Sequence, residues 1–455
     1  MGGSKIMVHA FFVAACHGID NGKGHTPPMG WRSWNLYGAN VNQKLMEGIM
    51  EGVVRKRDVD GTPMSLCDLG YCDVGLDDNW QSCGHHGTNR YTYHSDAGFP
   101  IVNEERFPDF KAMTTKAHSL GLTAGWYLNN CICEDHCGDG KDRKETDTKC
   151  YNGDAAALIE FGFDSVKLDG CGKQRDLDVW AGLFNASGRP IMIENCHWGQ
   201  TVPNATWCPW NLYRTSGDVR ASYGSIVANL QTTVKFATAN LSKPGCWAYP
   251  DMMEVGCQHG PGGSHDPGLT DEETRAHFGA WCIVSSPLTI SHDVNNESIT
   301  ERIWDVISNR EAIAINQAYA GHSGSPFKQS ERQVTHQWSE RINRDGAIAA
   351  EGEEGTMRSR SSTTSAWQYF YKPVEWNGAK VAVLLMNHDK SPQDLVLNLE
   401  SVPGLACGPK FDKTPCKVRD VWAKKDAGVF PAKYTAANLA GHDAAFLTIE
   451  PCPGC

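Results

Sequence analysis

Acidic, basic and aromatic residues recur in this sequence where short apolar segments end. Carboxylates and cations can hydrogen-bond the vicinal hydroxyls of a sugar, and an aromatic face can stack on the apolar face of its ring. Any one of the acids could instead cap a following helix, but capping explains the whole set poorly. The set predicts a carbohydrate site, and its members are Trp31, Trp34, Asp77, Asp78, Trp80, Trp126, Tyr127, Lys167, Asp169, His197, Trp198, Arg214, Asp218 and Asp251.

The segments that carry these residues alternate with stretches long enough for a helix. Stretches 109–120 and 271–283 have capping acids and a helical spacing of apolar residues. Alternating strands and helices indicate a parallel sheet, and eight such units favour a (β/α)8 TIM barrel with its site at the strand C-termini. The predicted strands are 29–34, 72–78, 124–129, 165–169, 191–195, 212–218, 246–251 and 287–291.

After about residue 325 the sequence changes to short apolar runs separated by turn residues. The runs at 367–371, 381–386, 395–399 and 444–449 predict an antiparallel β-sandwich without helices. A polar stretch rich in Gly, Ser and Thr precedes them at 351–365, and Cys407 and Cys416 bracket a loop that a disulfide could close. We therefore expect a catalytic barrel over 26–325 and a sandwich domain over 326–455.

Composition and charge exclude several classes of protein. The 455 residues carry a net charge of −11, which is the wrong sign for binding nucleic acid or an anionic membrane, and no apolar run could span a bilayer. The 18 cysteines indicate a disulfide-permissive compartment, and residues 1–16 resemble a weak signal peptide. We expect a secreted, lysosomal or vacuolar glycoprotein, with N-x-S/T triplets at Asn185, Asn204, Asn240 and Asn296.

Sequence motifs for metals and nucleotides are missing. The chain has no HExxH motif, no EF-hand loop, no paired Cys/His knuckles, and no GxGxxG or P-loop that opens a helix. We therefore expect no metal and no cofactor.

Seven sequence blocks, taken in order, resemble glycoside hydrolase family 27, the α-galactosidase and α-N-acetylgalactosaminidase group. They are PPMGWRSWN (27–35), GLDDNWQ (75–81), VKLDGCG (166–172), CHWG (196–199), YRTSGD (213–218), WAYPDMMEVG (247–256) and FGAWCIVSSPLTISHDV (278–294). The resemblance implies a barrel followed by an antiparallel β domain. It also implies cofactor-free, retaining hydrolysis of terminal α-linked galactose from oligosaccharides or glycoconjugates by double displacement.

The resemblance also assigns roles to individual positions. It implies that Asp169 is the nucleophile and Asp218 the general acid/base. The remaining positions contact the sugar: Asp77 and Asp78 hold the 6- and 4-hydroxyls, Lys167 and Arg214 donate to ring hydroxyls, and Trp34, Tyr127, Asp251 and Met252 line the cleft. Cys171 matches a half-cystine whose partner here is Cys131 or Cys133.

Retention requires two carboxylates, which we expect to lie roughly 5–5.5 Å apart. Lys167 and Asp169 are two positions apart on one predicted strand, so their side chains share a face, and the cation should keep Asp169 ionised. Asp218 should instead hold a proton, because burial and the charge of Asp169 favour its neutral form.

Two positions depart from the family pattern. His197 stands where α-galactosidases have the Glu that accepts from the sugar 2-hydroxyl, and Tyr249 stands where the family usually has Asp. A neutral imidazole can still satisfy a hydroxyl but leaves little room for an acetamide, so we expect α-galactoside to be preferred. Glu194 should point to the opposite face from His197, as a structural acid.

Three alternatives to an α-galactosidase stay open at this point. An α-N-acetylgalactosaminidase would need small residues where His197 stands. A β-L-arabinopyranosidase has no 6-hydroxyl to hold, so retention of both Asp77 and Asp78 argues against it. A catalytically inactive galactose-binding protein would usually lose a catalytic acid, whereas Asp169 and Asp218 are both present. A homodimer is compatible with each alternative.

Overall fold

The computed structural model describes residues 19–84, 93–129, 131–133, 143–258, 268–342, 355–411 and 413–455. The predicted signal peptide at 1–16 lies outside these residues. The described part of the chain contains no helix that is long and apolar enough to cross a membrane.

Eight of the first ten strands form one parallel sheet, in the order β10-β1-β4-β5-β6-β7-β8-β9. The strands are β1 (Met29–Arg32), β2 (Arg57–Val59), β3 (Thr62–Met64), β4 (Asp73–Gly75), β5 (Thr123–Leu128), β6 (Ser165–Asp169), β7 (Met192–Cys196), β8 (Leu212–Arg214), β9 (Trp247–Tyr249) and β10 (Leu288–Ile290). The sheet curls into the predicted barrel with a seam between β9 and β10, where Met253 N donates to Thr289 O at 2.8 Å. Strands β2 and β3 form a separate hairpin.

Helices cover the outside of this barrel. They are α1 (Trp34–Tyr37), α2 (Gln43–Val53), α3 (Phe110–Ser119), α4 (Arg143–Phe161), α5 (Leu177–Ala186), α6 (Tyr223–Thr238), α7 (Asp271–Ile283), α8 (Glu297–Ile307) and α9 (Arg310–Gln317). The two helices predicted from capping signals are both present. Asp109 accepts from Ala112 N ahead of α3, and Thr270 and Glu273 form a capping box at α7.

Several barrel strands are shorter than predicted. Strand β1 ends at Arg32, two residues early, and Trp34 begins α1 instead. Asp77, Asp218 and Asp251 follow their strands as loop residues. The chain turns at the strand ends, where backbone groups leave the ladder and bond to side chains, as when Asp77 N donates to Ser33 Oγ at 3.0 Å.

The C-terminal strands form antiparallel sheets. They are β11 (Ser325–Gln329), β12 (Gln333–Ile342), β13 (Thr356–Ser365), β14 (Trp367–Pro373), β15 (Val381–Asn387), β16 (Gln393–Asn398), β17 (Cys416–Asp420), β18 (Lys425–Phe430), β19 (Lys433–Leu439) and β20 (Ala444–Pro451). A six-stranded sheet, β11-β14-β15-β20-β17-β18, packs its apolar face against the β16–β19 pair. The predicted sandwich is therefore present. The expectation of no helices was wrong, because short 3₁₀ helices occupy Trp376–Gly378 and Leu399–Ser401.

Strands β12 and β13 pair only with each other and form what we call the arm. All of β13 falls in the polar stretch at 351–365, which showed no strand pattern, and residues 351–354 of that stretch lie outside the described residues. Ten consecutive cross-strand pairs, from Gln333↔Ser365 to Ile342↔Thr356, satisfy the backbone of this exposed segment. A strand can therefore form without apolar alternation when its partner is long enough.

The sandwich packs on the side of the barrel formed by α6 and α7. Arg275 in α7 pairs with Asp443 through two hydrogen bonds of 3.2 and 2.8 Å. Tyr223 at the start of α6 shares a 2.9 Å hydrogen bond between its hydroxyl and His388 Nδ1. The interface therefore joins the sandwich to helices that follow the barrel strands β8 and β9.

Candidate active site

Asp169 is the last residue of β6 and is 6% exposed. Tyr127 donates its hydroxyl to Asp169 Oδ2 at 2.7 Å, and Gly170 N donates to Oδ1 at 2.7 Å. The carboxylate is thus held at both oxygens by groups on β5 and β6, which fixes its orientation.

Lys167 shares the interior face of β6 with Asp169, as alternation predicts, but its ion pair is with another acid. Its Nζ lies 2.8 Å from Asp77 Oδ2, in the loop that follows β4. Burial alone would lower the pKa of Lys167, but the nearby carboxylates, Asp77 first, raise it well above the usual value. Lys167 is therefore a fixed cation in the floor of the site.

Arg214 joins two further carboxylates on the opposite side of the barrel mouth. Its Nη2 donates to Asp218 Oδ1 at 3.0 Å, and its Nη1 lies 3.0 Å from Asp251 Oδ1. Asp251 Oδ2 also accepts from Val219 N at 2.9 Å, so it fixes the loop that carries Asp218. Asp251 has φ 96, a strained backbone conformation for a residue other than glycine.

The protonation pattern of the two catalytic candidates is the reverse of the expectation. Burial raises the pKa of Asp169 to about 7, although the charge of Lys167 opposes the shift. Burial would also raise the pKa of Asp218, but the charges of Arg214 and Arg220 outweigh it and lower that pKa. Lys167 was expected to keep Asp169 ionised. It pairs with Asp77 instead, so its positive charge stabilises the ionised form of Asp169 less than expected.

The paired acids after β4 have different partners. Asp78 is buried, and its Oδ2 accepts from the backbone N–H groups of Cys131 and Ile132 at 3.0 and 3.1 Å. Cys131 forms a disulfide with Cys171, which settles the choice of partner left open by the sequence. Asp78 therefore anchors a loop that is covalently tied to the segment just after Asp169.

Further disulfides hold the surroundings. Cys133, the other candidate partner of Cys171, forms a disulfide with Cys83. Cys407 forms a disulfide with Cys416, as expected. Among the described residues, the one cluster with metal-ligand geometry is Cys131, Asp169 and Cys171. Because its two cysteines are bonded to each other, this cluster offers a cation only the Asp169 carboxylate.

His197 follows β7 and is 4% exposed. Its Nδ1 lies 2.9 Å from Thr201 Oγ1, while Nε2 is buried with no hydrogen-bond partner of acceptable geometry. Burial, together with the charge of Arg175, lowers the pKa of His197 to about 4, so the ring is neutral near pH 7. The ring is therefore held between Thr201 and the backbone of Asp169.

Aromatic and apolar residues complete the predicted lining. Trp34 packs against a buried cluster that contains Tyr249 and Met252. Trp198 has φ 49, and a Cβ on Gly170 would lie 3.1 Å from its ring, so the indole covers the backbone after Asp169. Three members of the predicted set were wrong: Trp31, Trp80 and Trp126 are fully buried and belong to the apolar core, where Trp126 stacks on Phe163. The other predicted residues lie on the strand ends and loops of one barrel mouth.

Comparison with known proteins decides the family. Residues 26–318 match the family model described as Alpha galactosidase A, and residues 364–449 match the Alpha galactosidase C-terminal beta sandwich domain. The chain belongs to the α-galactosidase family. It is 32% identical over 320 residues to an alpha-galactosidase of Cyamopsis tetragonoloba, covering 68% of each chain. It is 29% identical over 443 residues to Alpha-galactosidase 3 of Arabidopsis thaliana, covering 95% of this chain and 84% of that one.

Solved structures agree on the fold of this α-galactosidase-family chain. The structure of the Saccharomyces cerevisiae alpha-galactosidase with raffinose superposes with a TM-score of 0.71 at 19% identity. The superposition covers 95% of this chain and 99% of that one. At this identity the likeness shows the architecture of barrel and sandwich alone.

The α-galactosidase-family site also contains two buried groups on β7, of which the sequence reasoning singled out Glu194 but not Cys196. Cys196 is buried beside Arg214, whose Nη1 lies 3.4 Å from its Sγ, and Glu194 Oε2 lies 4.0 Å from Arg32 Nε. Alternation along β7 puts Glu194 and Cys196 on one face, a signal that could have found Cys196 as well. Glu194 is the structural acid that was expected, paired with an interior arginine.

Asn129 is a second omission from the sequence reasoning. Its Nδ2 donates to Asp169 O at 2.8 Å, and its Oδ1 accepts from Gln174 N at 3.1 Å. Asn129 has φ 58, a conformation that Asn tolerates better than most residues. The residue therefore positions the backbone of the predicted nucleophile.

Proposed function

We propose that this chain is a retaining α-galactosidase in which Asp169 is the nucleophile and Asp218 the general acid/base. The observation that carries the proposal is the placement of these two carboxylates at one barrel mouth, each beside its own fixed cation or hydrogen-bond donor. The charge of Asp218 contributes to the raised pKa of Asp169, which supports their proximity. A separation of roughly 5–5.5 Å stays a prediction.

The proposed reaction has two displacements. Asp169 attacks the anomeric carbon while Asp218 gives its proton to the departing glycosidic oxygen, and a covalent glycosyl-enzyme forms. Asp218, now ionised, takes a proton from water, and the resulting hydroxide attacks the anomeric carbon. The bond to Asp169 breaks, and galactose leaves with its original configuration.

The pKa shifts of Asp169 and Asp218 define the pH range in which this reaction can proceed. At pH values between the lowered pKa of Asp218 and the pKa of about 7 of Asp169, the two carboxyl groups together hold one proton. In the free enzyme that proton resides mainly on Asp169, whereas the first step needs it on Asp218. The reactive form, with Asp169 ionised and Asp218 protonated, is then a minor fraction of the singly protonated enzyme. Activity should be confined to acidic and near-neutral pH.

The sugar-binding roles are proposals of the same kind. The residues proposed to contact galactose are Trp34, Asp77, Asp78, Tyr127, Lys167, His197, Trp198, Arg214, Asp251 and Met252. Buried cations at Lys167 and Arg214 can donate to ring hydroxyls, and Asp77 Oδ2, which already accepts from Lys167, has a second lone pair that can accept from one. His197 is proposed to lie beside the 2-hydroxyl, at the position of the CHWG block that carries this role in the family.

A panel of three p-nitrophenyl glycosides tests the proposal. We expect kcat/KM to be highest for the α-galactoside, with the α-N-acetylgalactosaminide and the β-L-arabinopyranoside well below it. Raffinose, the compound named with the yeast relative, should also release galactose. Binding of galactose without turnover of any substrate would contradict the proposal and favour an inactive galactose-binding protein.

Replacing His197 with serine should weaken turnover of α-galactoside and change selectivity. An unpaired sugar hydroxyl costs on the order of 1–3 kcal/mol, so kcat/KM should fall by about one to two decades. The smaller side chain also opens space, so the ratio should shift toward the N-acetylgalactosaminide.

The measurement is kcat/KM on both p-nitrophenyl substrates. His118→Ser provides the matched control, because His118 is exposed and pairs with Asp164 away from the site. An unchanged selectivity ratio in His197→Ser would show that His197 does not face the 2-position.

Cellular context and assembly are further proposals. We propose a barrel domain over 26–325, a sandwich domain over 326–455, and a secreted, lysosomal or vacuolar location. Six disulfides among the described residues fit an oxidising compartment. The asparagines of all four N-x-S/T triplets are exposed, which suits glycosylation. A homodimer is the proposed assembly.

A further inference from the structure

The arm leaves the sandwich and packs on the first turn of α6. Ser362 on β13 donates its hydroxyl to Gly224 O at 3.2 Å. A Cβ on Gly224 would lie 2.8 Å from His336 Cβ and 2.9 Å from the Trp338 ring. Position 224 therefore has to be glycine for the arm to approach the helix this closely.

The first turns of α6 also support the loop that carries Asp218. Ser225 Oγ accepts from Arg220 N at 2.9 Å, and Asn229 Nδ2 donates to Gly217 O at 3.0 Å. Strand C-termini and helix N-termini lie at the active face of a barrel of this kind. The arm therefore borders the active face next to the loop of the acid/base.

One face of the arm offers a platform for a sugar. Alternation along β12 places His336, Trp338 and Glu340 on the barrel side, with Arg360 directly opposite Trp338. Trp338 is half-buried, and its Nε1 donates to Glu340 Oε1 at 3.2 Å. Glu340 Oε2 accepts from Arg360 Nε at 2.8 Å. A partly exposed indole flanked by an ion pair can stack on a pyranose ring and hydrogen-bond its hydroxyls.

The exposure of the two acids indicates on which side the leaving group departs. The Asp218 side chain is 26% exposed, whereas Asp169 is buried. Because Asp218 would protonate the departing oxygen, the leaving group has to occupy the side of the mouth formed by the Asp218 loop. That is the side on which the arm packs.

We propose that Trp338 is a specificity-determining residue that stacks on a sugar of the leaving group when the substrate is an α-galactosyl oligosaccharide. This inference rests on the proposed function. Trp338 and all of the arm up to residue 363 lie between the two family matches, at 26–318 and 364–449, so neither match assigns Trp338 a role. The sandwich domain thereby takes part in recognising the substrate.

Two substrates isolate the effect of Trp338. Raffinose has two sugars in its leaving group, whereas α-galactosyl fluoride has a single atom there. Trp338→Ala should reduce kcat/KM for raffinose about tenfold, mainly through KM, and change kcat/KM for the fluoride less than about twofold. Trp338→Phe, which keeps a ring, should restore most of the raffinose activity.

Two controls separate stacking from folding. Trp338→Leu keeps an apolar side chain against Gly224, so it should preserve the thermal midpoint and still lose raffinose activity. Trp376→Ala removes an indole that is 65% exposed elsewhere on the sandwich and should change neither substrate.

Equal losses on raffinose and on the fluoride, or no loss on raffinose in any Trp338 variant, would overturn the assignment of Trp338. Both results leave the proposed function standing, because the wild type still hydrolyses both substrates. A wild type that hydrolyses neither substrate would refute the proposed function itself, and the role of Trp338 with it.

Discussion

Replacing Asp169 with asparagine is expected to reduce kcat on every galactoside by about 10⁴- to 10⁶-fold. A nucleophile has no substitute in a double displacement, and losses of this order follow removal of the attacking group in other covalent enzymes. Asn has nearly the same shape, so the hydrogen bond from Tyr127 can persist and galactose binding should survive. Steady-state kinetics and galactose titration would measure the two effects.

The same variant predicts a change in stability. Because the pKa of Asp169 is raised to about 7, folding favours its protonated form, and the wild type should lose stability as pH rises from about 4 to 7. Asp169→Asn should lack this loss and so have the higher thermal midpoint at pH 7. Asp178→Asn, at an exposed site in α5, is the matched control.

Covalent labelling provides the decisive check on Asp169. A fluorinated galactosyl fluoride should form a stable ester with one carboxylate, which peptide mass spectrometry can locate. A label on any residue other than Asp169 would remove it from the role of nucleophile.

Replacing Asp218 with alanine is expected to cost substrates with poor leaving groups about 10²- to 10⁴-fold. Only those substrates need protonation of the departing oxygen, so p-nitrophenyl galactoside should lose much less in the first step. The second step then slows for lack of a base. Azide, which needs no deprotonation, should restore turnover and give galactosyl azide of retained configuration.

The pH dependence of kcat/KM is an independent test of the role of Asp218. Wild-type kcat/KM should fall at alkaline pH through a value near 7 and at acid pH below the usual range of an aspartate. Asp218→Ala should lose the alkaline fall, because only ionisation of Asp169 then matters. Equal losses on both kinds of substrate without rescue by azide would mark Asp218 as structural.

The positions of the site residues could be predicted from the sequence because parallel strands bring their C-terminal ends to one edge. Asp169 and Arg214 end two strands and Asp251 follows a third, and their meeting at one mouth follows from that geometry alone. The strand lengths were less predictable. The predicted strand at 212–218 ends at Arg214, because the backbone beyond it bonds to other partners, such as Asn229, whose Nδ2 donates to Gly217 O.

The protonation states could not be predicted from spacing. Lys167 and Asp169 do share a face, but Lys167 pairs with Asp77 in the loop after β4, and burial decides the pKa of Asp169. Both effects depend on contacts between distant segments. The arm escaped prediction for a similar reason, because β13 is stabilised by its partner strand and has no apolar pattern of its own.

The disulfides around the mouth have a practical consequence for producing the protein. Cys131–Cys171 and Cys83–Cys133 tie the loops after β4, β5 and β6 together, and Cys208–Cys246 lies within the barrel core. Chains made in a reducing bacterial cytosol would lack these links, and their Asp78 and Asp169 loops would be untethered. The quality of a recombinant preparation is therefore measured better by the fraction of active molecules, determined by active-site titration, than by soluble yield. Secretion through an oxidising compartment is the suitable expression route.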